Sequence, residues 1–184
     1  MTGYYAYQTG PLGPGSDSIV KDPKHRLWDH TTSKHSKATT MSAPTALDAA
    51  CIFCKIIKGE IPSFKLIETK YSYAFLDIQP TAEGHALIIP KYHGAKLHDI
   101  PDEFLTDAMP IAKRLAKAMK LDTYNILQNN GKIAHQEVDH VHFHLIPKRD
   151  EKTGLIVGWP AQESDFEKLG KLHKELLAEL EGSD

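Results

Sequence analysis

The sequence predicts an α+β fold: a five-stranded, mostly antiparallel sheet with a long central helix, a short N-terminal helix and a C-terminal helix. Five short apolar segments are bounded by turn residues, which is typical of strands. Two longer segments repeat apolar residues every three or four positions, which is typical of helices. Because the strands do not alternate regularly with helices, an antiparallel sheet is favoured over a parallel one.

The elements are expected as follows. A short helix covers 52–58 and ends at Gly59, and a long helix covers 102–120, where Pro110 predicts a kink or a late start. The last helix covers 165–180 and carries an apolar stripe of Leu169, Leu172, Leu176 and Leu180. The five strands are expected at 64–68, 73–76, 86–89, 123–128 and 140–146.

Two regions differ in composition. Residues 1–48 are expected to form a disordered extension, and residues 49–182 a compact domain. The extension is rich in polar residues, Gly and Pro, and its sparse apolar residues follow neither a strand period nor a helix period. Asp17, Asp22 and Asp29 interrupt its positive charge, so a basic amphipathic targeting segment is the weaker interpretation.

The composition also excludes several classes of partner. The chain has 184 residues, of which 41% are hydrophobic and 25% charged, with a formal net charge of −2. We expect no nucleic-acid and no membrane partner, because there is no overall basic field and no segment with the ~20 apolar residues of a transmembrane helix. With no export signal, Cys51 and Cys54 are expected to be reduced or metal-bound.

The most informative segment runs from His140 to Ile146. Side chains alternate along a strand, so His140, His142 and His144 would share one face. Three interpretations are open: a solvated face, a metal site, or an active site with a central nucleophile and flanking helpers. Residues two apart lie roughly 6.5–7 Å from each other, so three ligands from one strand do not easily converge on one metal. A neutral imidazole is a good nucleophile near pH 7, which suits transfer to and from phosphorus.

The pattern His-apolar-His-apolar-His-apolar-apolar at 140–146 resembles the signature of the histidine triad (HIT) superfamily. Four further segments are similar to the family's opening segment, ribose-binding turn, next strand and phosphate-side loop, at 51–62, 75–80, 84–91 and 129–131. Within the superfamily, the chain looks most like the Hint branch of nucleoside phosphoramidases. It is especially similar to the fungal members, which extend past Trp159-Pro160 into a further helix.

The resemblance implies a HIT-like fold and an adenosine 5′-monophosphoramidase activity. Purine nucleoside 5′-phosphoramidates of the AMP-NH2 or AMP-lysine type would be cleaved at the P–N bond. A covalent nucleotidyl-histidine intermediate would form, and AMP would be released. The resemblance also implies a homodimer, built on the long helix and a strand, and a cytoplasmic location with the nucleus as a second one. No cofactor is implied for the chemistry itself.

The resemblance also assigns roles to residues. His142 would be the nucleophile, His144 would support the phosphate oxygens, and His85 would help to fix the tautomer. Asp77 would accept hydrogen bonds from the ribose hydroxyls; its alternative role is that of a solvated turn residue. Other nucleotide-binding candidates lie in the phosphate-side loop and in apolar walls that could equally be ordinary core: Phe53, Ile56, Ile61, Phe75, Leu76, Ile78, Asn129, His135, Gln136 and Glu137.

Glu137 departs from the family pattern. Many relatives carry Gly-Gln-Ser/Thr-Val before the triad, whereas this chain has the run from His135 to Val138 with Glu137 in place of the hydroxyl. An ionised carboxylate cannot donate to a phosphate and would repel it. Either Glu137 turns away, or it is protonated, or it pairs with the substrate amine or His135. The departure concerns the leaving-group preference and not the reaction class.

Four residues correspond to ligands that hold zinc in some HIT proteins: Cys51, Cys54, His93 and His140. Two cysteines and two histidines suit a closed tetrahedral structural site. The alternative is a pair of reduced, buried thiols beside a surface histidine. A structural zinc ion is therefore an open prediction.

Two other functions stay open at the level of sequence. A dinucleoside polyphosphate hydrolase of the same superfamily would use the same nucleophile with a nucleotide as the leaving group. A non-catalytic purine-nucleotide- or zinc-binding scaffold would bind without turnover. Comparing the turnover of a phosphoramidate and a diadenosine polyphosphate distinguishes the phosphoramidase from the polyphosphate hydrolase. Replacing the nucleophile, as in His142→Ala, distinguishes catalysis from binding.

Overall fold

The computed structural model describes residues 47–158 and 160–182. The predicted extension at 1–48 therefore lies outside the described residues, except for 47 and 48. The elements in chain order are α1 (Ile52–Ile57), β1 (Lys65–Glu68), β2 (Ser72–Leu76), β3 (Ala86–Pro90), α2 (Ala108–Ala118), β4 (Tyr124–Gln128), β5 (Phe143–Pro147) and α3 (Phe166–Glu181). Short 3-10 turns connect them at Leu97–Asp99, Asp102–Phe104 and Lys132–Ala134.

The strands form one sheet in the order β1-β2-β3-β5-β4, and every neighbouring pair is antiparallel. The predicted α+β class is confirmed. Side chains alternate between the faces, so one strand supplies two apolar layers. Ala74, Ile88 and Leu145 belong to the layer with α2, whereas Phe75 and Leu87 belong to the layer with α1. The long helix thus covers one face of the sheet and the short N-terminal helix the other.

The long helix starts late, as Pro110 predicts. A 3-10 turn replaces the first part of the expected helix, and α2 begins at Ala108. Pro110 lies in the first turn, where its missing N–H removes no intrahelical hydrogen bond. Asp107 precedes α2 and accepts hydrogen bonds from Thr69 Oγ1 at 2.6 Å and Ser72 Oγ at 2.5 Å. These bonds connect the helix to the turn between β1 and β2.

The strand that carries the triad is shorter than predicted. β5 begins at Phe143, so only the last of the three histidines lies within it. The preceding segment leaves the ladder because the Val141 N–H donates to the Gly94 carbonyl at 2.8 Å. The imidazoles still lie together, and the ring centroids of His142 and His144 are 4.8 Å apart. The other strand boundaries differ from the prediction by one residue.

The C-terminal helix α3 begins after Asp165, whose carboxylate accepts hydrogen bonds from the N–H groups of Glu167 and Lys168. Every described residue of α3 is exposed. The predicted leucine stripe is therefore present but packs against no core, with exposures of 49% to 66% at Leu169, Leu172, Leu176 and Leu180. Among the described residues, the helices are too short or too polar to cross a membrane.

Candidate active site

His142 is buried beside α1 and is oriented by a backbone carbonyl. Its ring packs edge-on against Phe53 with 5.2 Å between centroids. Its Nδ1 lies 2.6 Å from the carbonyl oxygen of His140. A carbonyl can only accept, so Nδ1 carries the proton and Nε2 keeps its lone pair. This is the tautomer that a nucleophilic histidine needs.

A chain of hydrogen bonds sets the tautomer of His144. The Thr81 N–H donates to His85 Nδ1 at 3.3 Å, so a neutral His85 carries its proton on Nε2. That nitrogen lies 2.9 Å from Nδ1 of His144, which accepts. His144 then carries its own proton on Nε2 and can donate it to a ligand. Asp77 Oδ2 lies 3.5 Å from His85 Nδ1 and places a carboxylate at this end of the site.

Burial keeps the histidines of the site neutral. Desolvation lowers the pKa of His142 and of His85 below the ordinary histidine value. It lowers the pKa of His140 and of His144 to about 4, and the neighbouring imidazoles act in the same direction. The cause is that a buried imidazolium loses hydration that the neutral ring does not need. At pH 7 His142 is therefore a free base.

Gln136 organises the loop between β4 and β5. Its side chain is buried, its Oε1 accepts from the Gly131 N–H at 2.6 Å, and its Nε2 donates to the carbonyls of Ala95 and Val138. Both amide donors are thus committed to the protein, because a buried polar group needs its partners. The side chain of Gln136 serves the loop, and a nucleotide-binding role for this residue stays a prediction. A nucleotide contact at this position is left to the backbone.

The other predicted members of this loop are oriented differently. Asn129 directly follows Gln128, which pairs with Phe143, so it stands at the end of the ladder where the triad segment enters β5. Its Nδ2 donates to the carbonyl of His135 at 3.2 Å, and His135 has a left-handed backbone (φ 63°) and an exposed side chain. The side chain of Glu137 is also exposed and forms no ion pair with a residue in the described part of the chain. Of the alternatives for Glu137, the structure favours the one in which it turns away.

The apolar candidates for the base pocket divide between the two faces of the sheet. Leu76 packs in the layer with α2, because neighbouring residues of a strand alternate. The prediction that Leu76 lines the pocket is wrong, and it is a core residue. Ile78 follows β2 and is 79% exposed, which leaves it free to contact a ligand. The others lie on the α1 face, where the triad rings also pack: Phe53, Ile56, Ile61 and Phe75.

A second cluster lies at the start of the triad segment and consists of Cys51, Cys54, His93 and His140. One ligand atom from each residue lies within 4.8 Å of all the others. His140 Nδ1 is 3.5 Å from both sulfurs, and His93 Nδ1 is 3.5 Å from Cys54 Sγ. In a tetrahedral zinc site, bonds of about 2.3 Å to sulfur and about 2.0–2.1 Å to nitrogen place these atoms about 3.5–3.6 Å apart. The donor set and its spacing therefore fit zinc.

Both histidines of this cluster are oriented through their second nitrogen. His140 Nε2 lies 3.0 Å from the Pro90 carbonyl, and His93 Nε2 lies 3.7 Å from Asp48 Oδ2. An acceptor on the far nitrogen directs the Nδ1 lone pair towards the sulfurs, as in metal-ligating histidines. Burial raises the pKa of the Cys54 thiol to about 11, so this sulfur is protonated unless a cation draws the proton away.

The sequence does not single out two contributors to these sites. Thr81 acts through its backbone N–H, for which no side-chain pattern exists. Asp48 belongs to the predicted extension, yet its carboxylate accepts from the Ala50 N–H at 2.7 Å and its own N–H donates to Cys54 Sγ at 3.3 Å. Asp48 therefore contacts the cluster from the residue next to the predicted boundary at 49.

Comparisons with known proteins agree with this geometry. The HIT domain model matches residues 58–151. The Saccharomyces cerevisiae protein named adenosine 5′-monophosphoramidase HNT1 is 94% identical over 146 residues, which cover 79% of this chain and 92% of that protein. The crystal structure of a histidine triad nucleotide-binding protein from Candida albicans shares 68% identity. The superposition covers 73% of this chain and 99% of the Candida albicans chain, with a TM-score of 0.71.

A third comparison concerns the metal. The crystal structure of a Zn-bound histidine triad family protein from Mycobacterium smegmatis shares 32% identity. It covers 73% of this chain and 98% of that one, with a TM-score of 0.52. With the family model and the curated relative in agreement, the chain belongs to the histidine triad (HIT) family. The resemblance inferred from the triad and its companion segments is confirmed.

Proposed function

We propose that this protein is an adenosine 5′-monophosphoramidase that hydrolyses the P–N bond of purine nucleoside 5′-phosphoramidates. The observation that carries the proposal is the pairing of His142 with His144. One ring offers a free Nε2 lone pair, the other offers an Nε2–H donor, and their centroids are 4.8 Å apart. Such a pair can attack phosphorus and stabilise the charge that develops on its oxygens.

In the first step, Nε2 of His142 attacks phosphorus on the side opposite the amine. The bond from Nε2 to phosphorus forms while the P–N bond breaks, and the bonding electrons leave with the amine, which takes up a proton from solvent. The imidazole becomes cationic, and the carbonyl of His140 stabilises it through the hydrogen bond at Nδ1. His144 donates to a phosphoryl oxygen, and Asn129 lies beside the reacting centre.

In the second step, water attacks the phosphorus of the nucleotidyl-histidine. The bond between phosphorus and Nε2 breaks, its electrons return to His142, and the water loses a proton to solvent. AMP and a neutral imidazole result. Two displacements at a good nucleophile that is also a good leaving group replace one difficult hydrolysis.

The nucleoside is assigned to the end of the site that Asp77 occupies. Asp77 Oδ1 accepts from the Gln79 N–H at 2.9 Å, which orients the carboxylate within the turn after β2. The remaining lone pairs of this carboxylate are available for the ribose hydroxyls. The exposed Ile78 lies next to it in sequence, and the apolar α1 face provides a wall for a purine base.

The proposal is tested by intact mass after brief mixing with the unsubstituted phosphoramidate of AMP. We expect a mass increase of one adenylyl group on His142, located by peptide mapping. The adduct and turnover should be lost in His142→Ala and kept in His98→Ala, which removes an exposed histidine away from the site. Turnover by the His142→Ala variant, or an adduct on another residue, would contradict the mechanism. Faster turnover of a diadenosine polyphosphate would instead indicate the other chemistry of the family.

We also propose that Cys51, Cys54, His93 and His140 hold a structural zinc ion. The ion would connect α1 to the segment after β3 and to the start of the triad segment, and it would take no part in the reaction. Support comes from the spacing of the four ligand atoms and from the acceptors behind both histidines. Elemental analysis should find about one zinc per chain in the wild type and none in a Cys51→Ser/Cys54→Ser variant. Substoichiometric zinc in a protein with normal activity and unchanged stability would overturn this proposal.

We further propose a homodimer that forms through the edge strand β4. The apolar residues on the inner side of α2 belong to the core: Ala108, Ile111, Ala112 and Leu115 are buried, and Met119 packs against them. The exposed apolar residues Met109, Tyr124 and Ile126 lie on α2 and β4 instead. An edge strand has unpaired backbone groups that a second copy can satisfy. Native mass spectrometry should find a dimer, and Ile126→Lys should shift it towards the monomer.

A further inference from the structure

Lys96 has an ammonium group without a partner at the edge of the active-site loop. The residue is half-buried, and its Nζ forms no ion pair or hydrogen bond with another residue in the described ranges. The carboxylate of Asp99, three residues further along the sequence, instead accepts from the backbone N–H of Lys96 at 2.8 Å. An ammonium group without a counterion in the described ranges is available to pair with an anion bound beside it.

Three hydrogen bonds fix the position of Lys96 relative to the site. Gly94 O accepts from the N–H that precedes His142, and Ala95 O accepts from the amide of Gln136 at 2.7 Å. The next residue, Leu97, donates its N–H to Asn130 Oδ1 at 2.8 Å. The segment that carries Lys96 is thus joined to both loops that flank the nucleophile.

The side chain of Lys96 lies over the turn after Asn129. Its Nζ is 3.1 Å from the position that a Cβ on Gly131 would occupy, and Gly131 has φ +91°, where glycine is favoured. Because Gly131 carries no side chain, the ammonium can approach the turn closely. Gly131 lies in the loop that begins where Gln128 pairs with Phe143, so the cation lies at the loop end of the site.

The two ends of the site differ in charge. Asp77 lies at the end of His85 and His144 and is assigned to the ribose, which is uncharged. Lys96 lies at the opposite end, towards the start of the triad segment. With the nucleoside at the first end and the amine leaving from the side of phosphorus opposite His142, the loop end is open to a substituent that the amine carries. A cation there selects leaving groups that carry negative charge.

We propose that Lys96 forms a leaving-group subsite that binds a carboxylate on the amine, so that phosphoramidates of amino acids are preferred over those of uncharged amines. The inference rests on the proposed phosphoramidase function and specifies its substrate class. An ammonium and a carboxylate at a half-exposed position contribute about 1 kcal/mol, which is about fivefold in an equilibrium or a rate.

The test compares matched leaving groups that differ only in a carboxylate and a carboxamide. Adenosine 5′-phosphoramidates of glycine and glycinamide form one pair, and those of 6-aminohexanoic acid and its amide form a longer pair. For each pair, the ratio of kcat/KM values is measured in the wild type, Lys96→Gln and Lys132→Gln. Lys132 is the matched control, because it is an exposed lysine next to Gly131. Because the two kcat/KM values are compared within one enzyme, a general loss of activity in a variant does not change their ratio.

We expect the carboxylate-to-carboxamide ratio to fall about fivefold in Lys96→Gln for at least one pair, and to be kept in Lys132→Gln. High salt should lower the same ratio in the wild type, since screening weakens the ion pair. An unchanged ratio for both pairs in Lys96→Gln overturns the subsite. A Lys96→Gln variant that loses activity only towards diadenosine polyphosphate also overturns it, because that leaving group carries phosphates and no carboxylate. Failure of the wild type to cleave the unsubstituted phosphoramidate would instead refute the proposed function itself.

Discussion

His140 belongs to two sites through different parts of one residue. Its ring lies in the cluster with the cysteines, while its carbonyl holds the Nδ1 proton of His142. A metal ion on the ring would therefore fix the backbone that sets the tautomer of the nucleophile. The first and second histidines of the triad are thus not equivalent, although the sequence presents them in the same way.

The buried histidines predict a loss of stability in acid. In the unfolded chain a histidine titrates near 6.5, whereas the pKa of His140 and of His144 is lowered to about 4 in the fold. Between these values the unfolded state binds more protons, so the free energy of unfolding falls as the pH decreases from about 6.5 to about 4. The slope is at most about 1.4 kcal/mol per pH unit for each histidine.

Urea unfolding between pH 7 and pH 4.5, with a chelator present to remove metal effects, measures this slope. The His144→Asn variant should give a shallower curve, because one of the titrating groups is gone. His98→Ala is the control and should leave the slope unchanged, since the side chain of His98 is 81% exposed. A wild-type curve that is flat over this range would show that these imidazoles are not neutral by burial.

At the scale of elements, side-chain hydrogen bonds outside the sheet hold the long helix in place. Asp107 accepts from two hydroxyls in the β1–β2 turn, and one of them, on Ser72, is fully buried. This contact lets α2 begin late and still pack along the sheet. The described residues of the C-terminal helix are all exposed. A substitution at the start of α2 and the removal of α3 should therefore have different effects on the stability of the fold.

Replacing Asp107 by alanine should destabilise the fold by about 1–3 kcal/mol, because the buried hydroxyl of Ser72 loses its acceptor. Chemical denaturation measures the change. Asp102→Ala is the matched control, as Asp102 is an exposed aspartate in the preceding 3-10 turn. It should cost less than about 0.5 kcal/mol. Equal effects of the two substitutions would contradict the role assigned to Asp107.

Removing residues 166–184 should leave the thermal stability of the domain almost unchanged. All described residues of α3 are exposed, so the truncation removes no core packing from the chain. We expect the melting temperature to shift by less than about 2 °C, as for a change of about 0.5 kcal/mol in a domain of this size. A larger decrease in differential scanning calorimetry would show that α3 packs against something, and its concentration dependence would identify a second copy.

At the scale of the whole molecule, stability and chemistry lie on opposite faces of one sheet. The layer with α2 is made of small and aliphatic residues, whereas the layer with α1 carries the aromatic rings and the imidazoles. The candidate active site and the candidate zinc site are at the two ends of the triad segment on the α1 side. The α2 face can therefore be tested for stability separately from the chemistry.

Ile88→Ala should lower the free energy of unfolding by about 2–5 kcal/mol, because Ile88 is fully buried in the layer with α2 and its truncation leaves a cavity. The adenylyl adduct on His142 should still form in the folded fraction. Ile133→Ala is the control, because Ile133 is fully exposed in the loop after β4, and it should be nearly neutral. Loss of the adduct at a temperature where Ile88→Ala is folded would contradict the separation of the two faces.

Much of the site could be predicted from local patterns. The alternation of the triad, the spacing of Cys51 and Cys54, and the companion segments are all visible along the chain. The local pattern is ambiguous at two positions. Leu76 is as apolar as Phe75, and only strand pairing decides which of them faces the imidazoles. Gln136 is polar and next to the triad, but only the fold shows that its amide is used within the loop.

The sequence by itself determined the class of fold, the order of its elements, the family and the identity of the residues that can carry the chemistry. Periodicity and residue type are local properties, and they survive in any compact arrangement of the chain. Only the tertiary structure decided the tautomers of His142 and His144, the approach of His93 to Cys54, and the approach of Lys96 Nζ to Gly131. These depend on backbone carbonyls, N–H groups and burial contributed by segments far apart in the chain, and no spacing along the sequence encodes them.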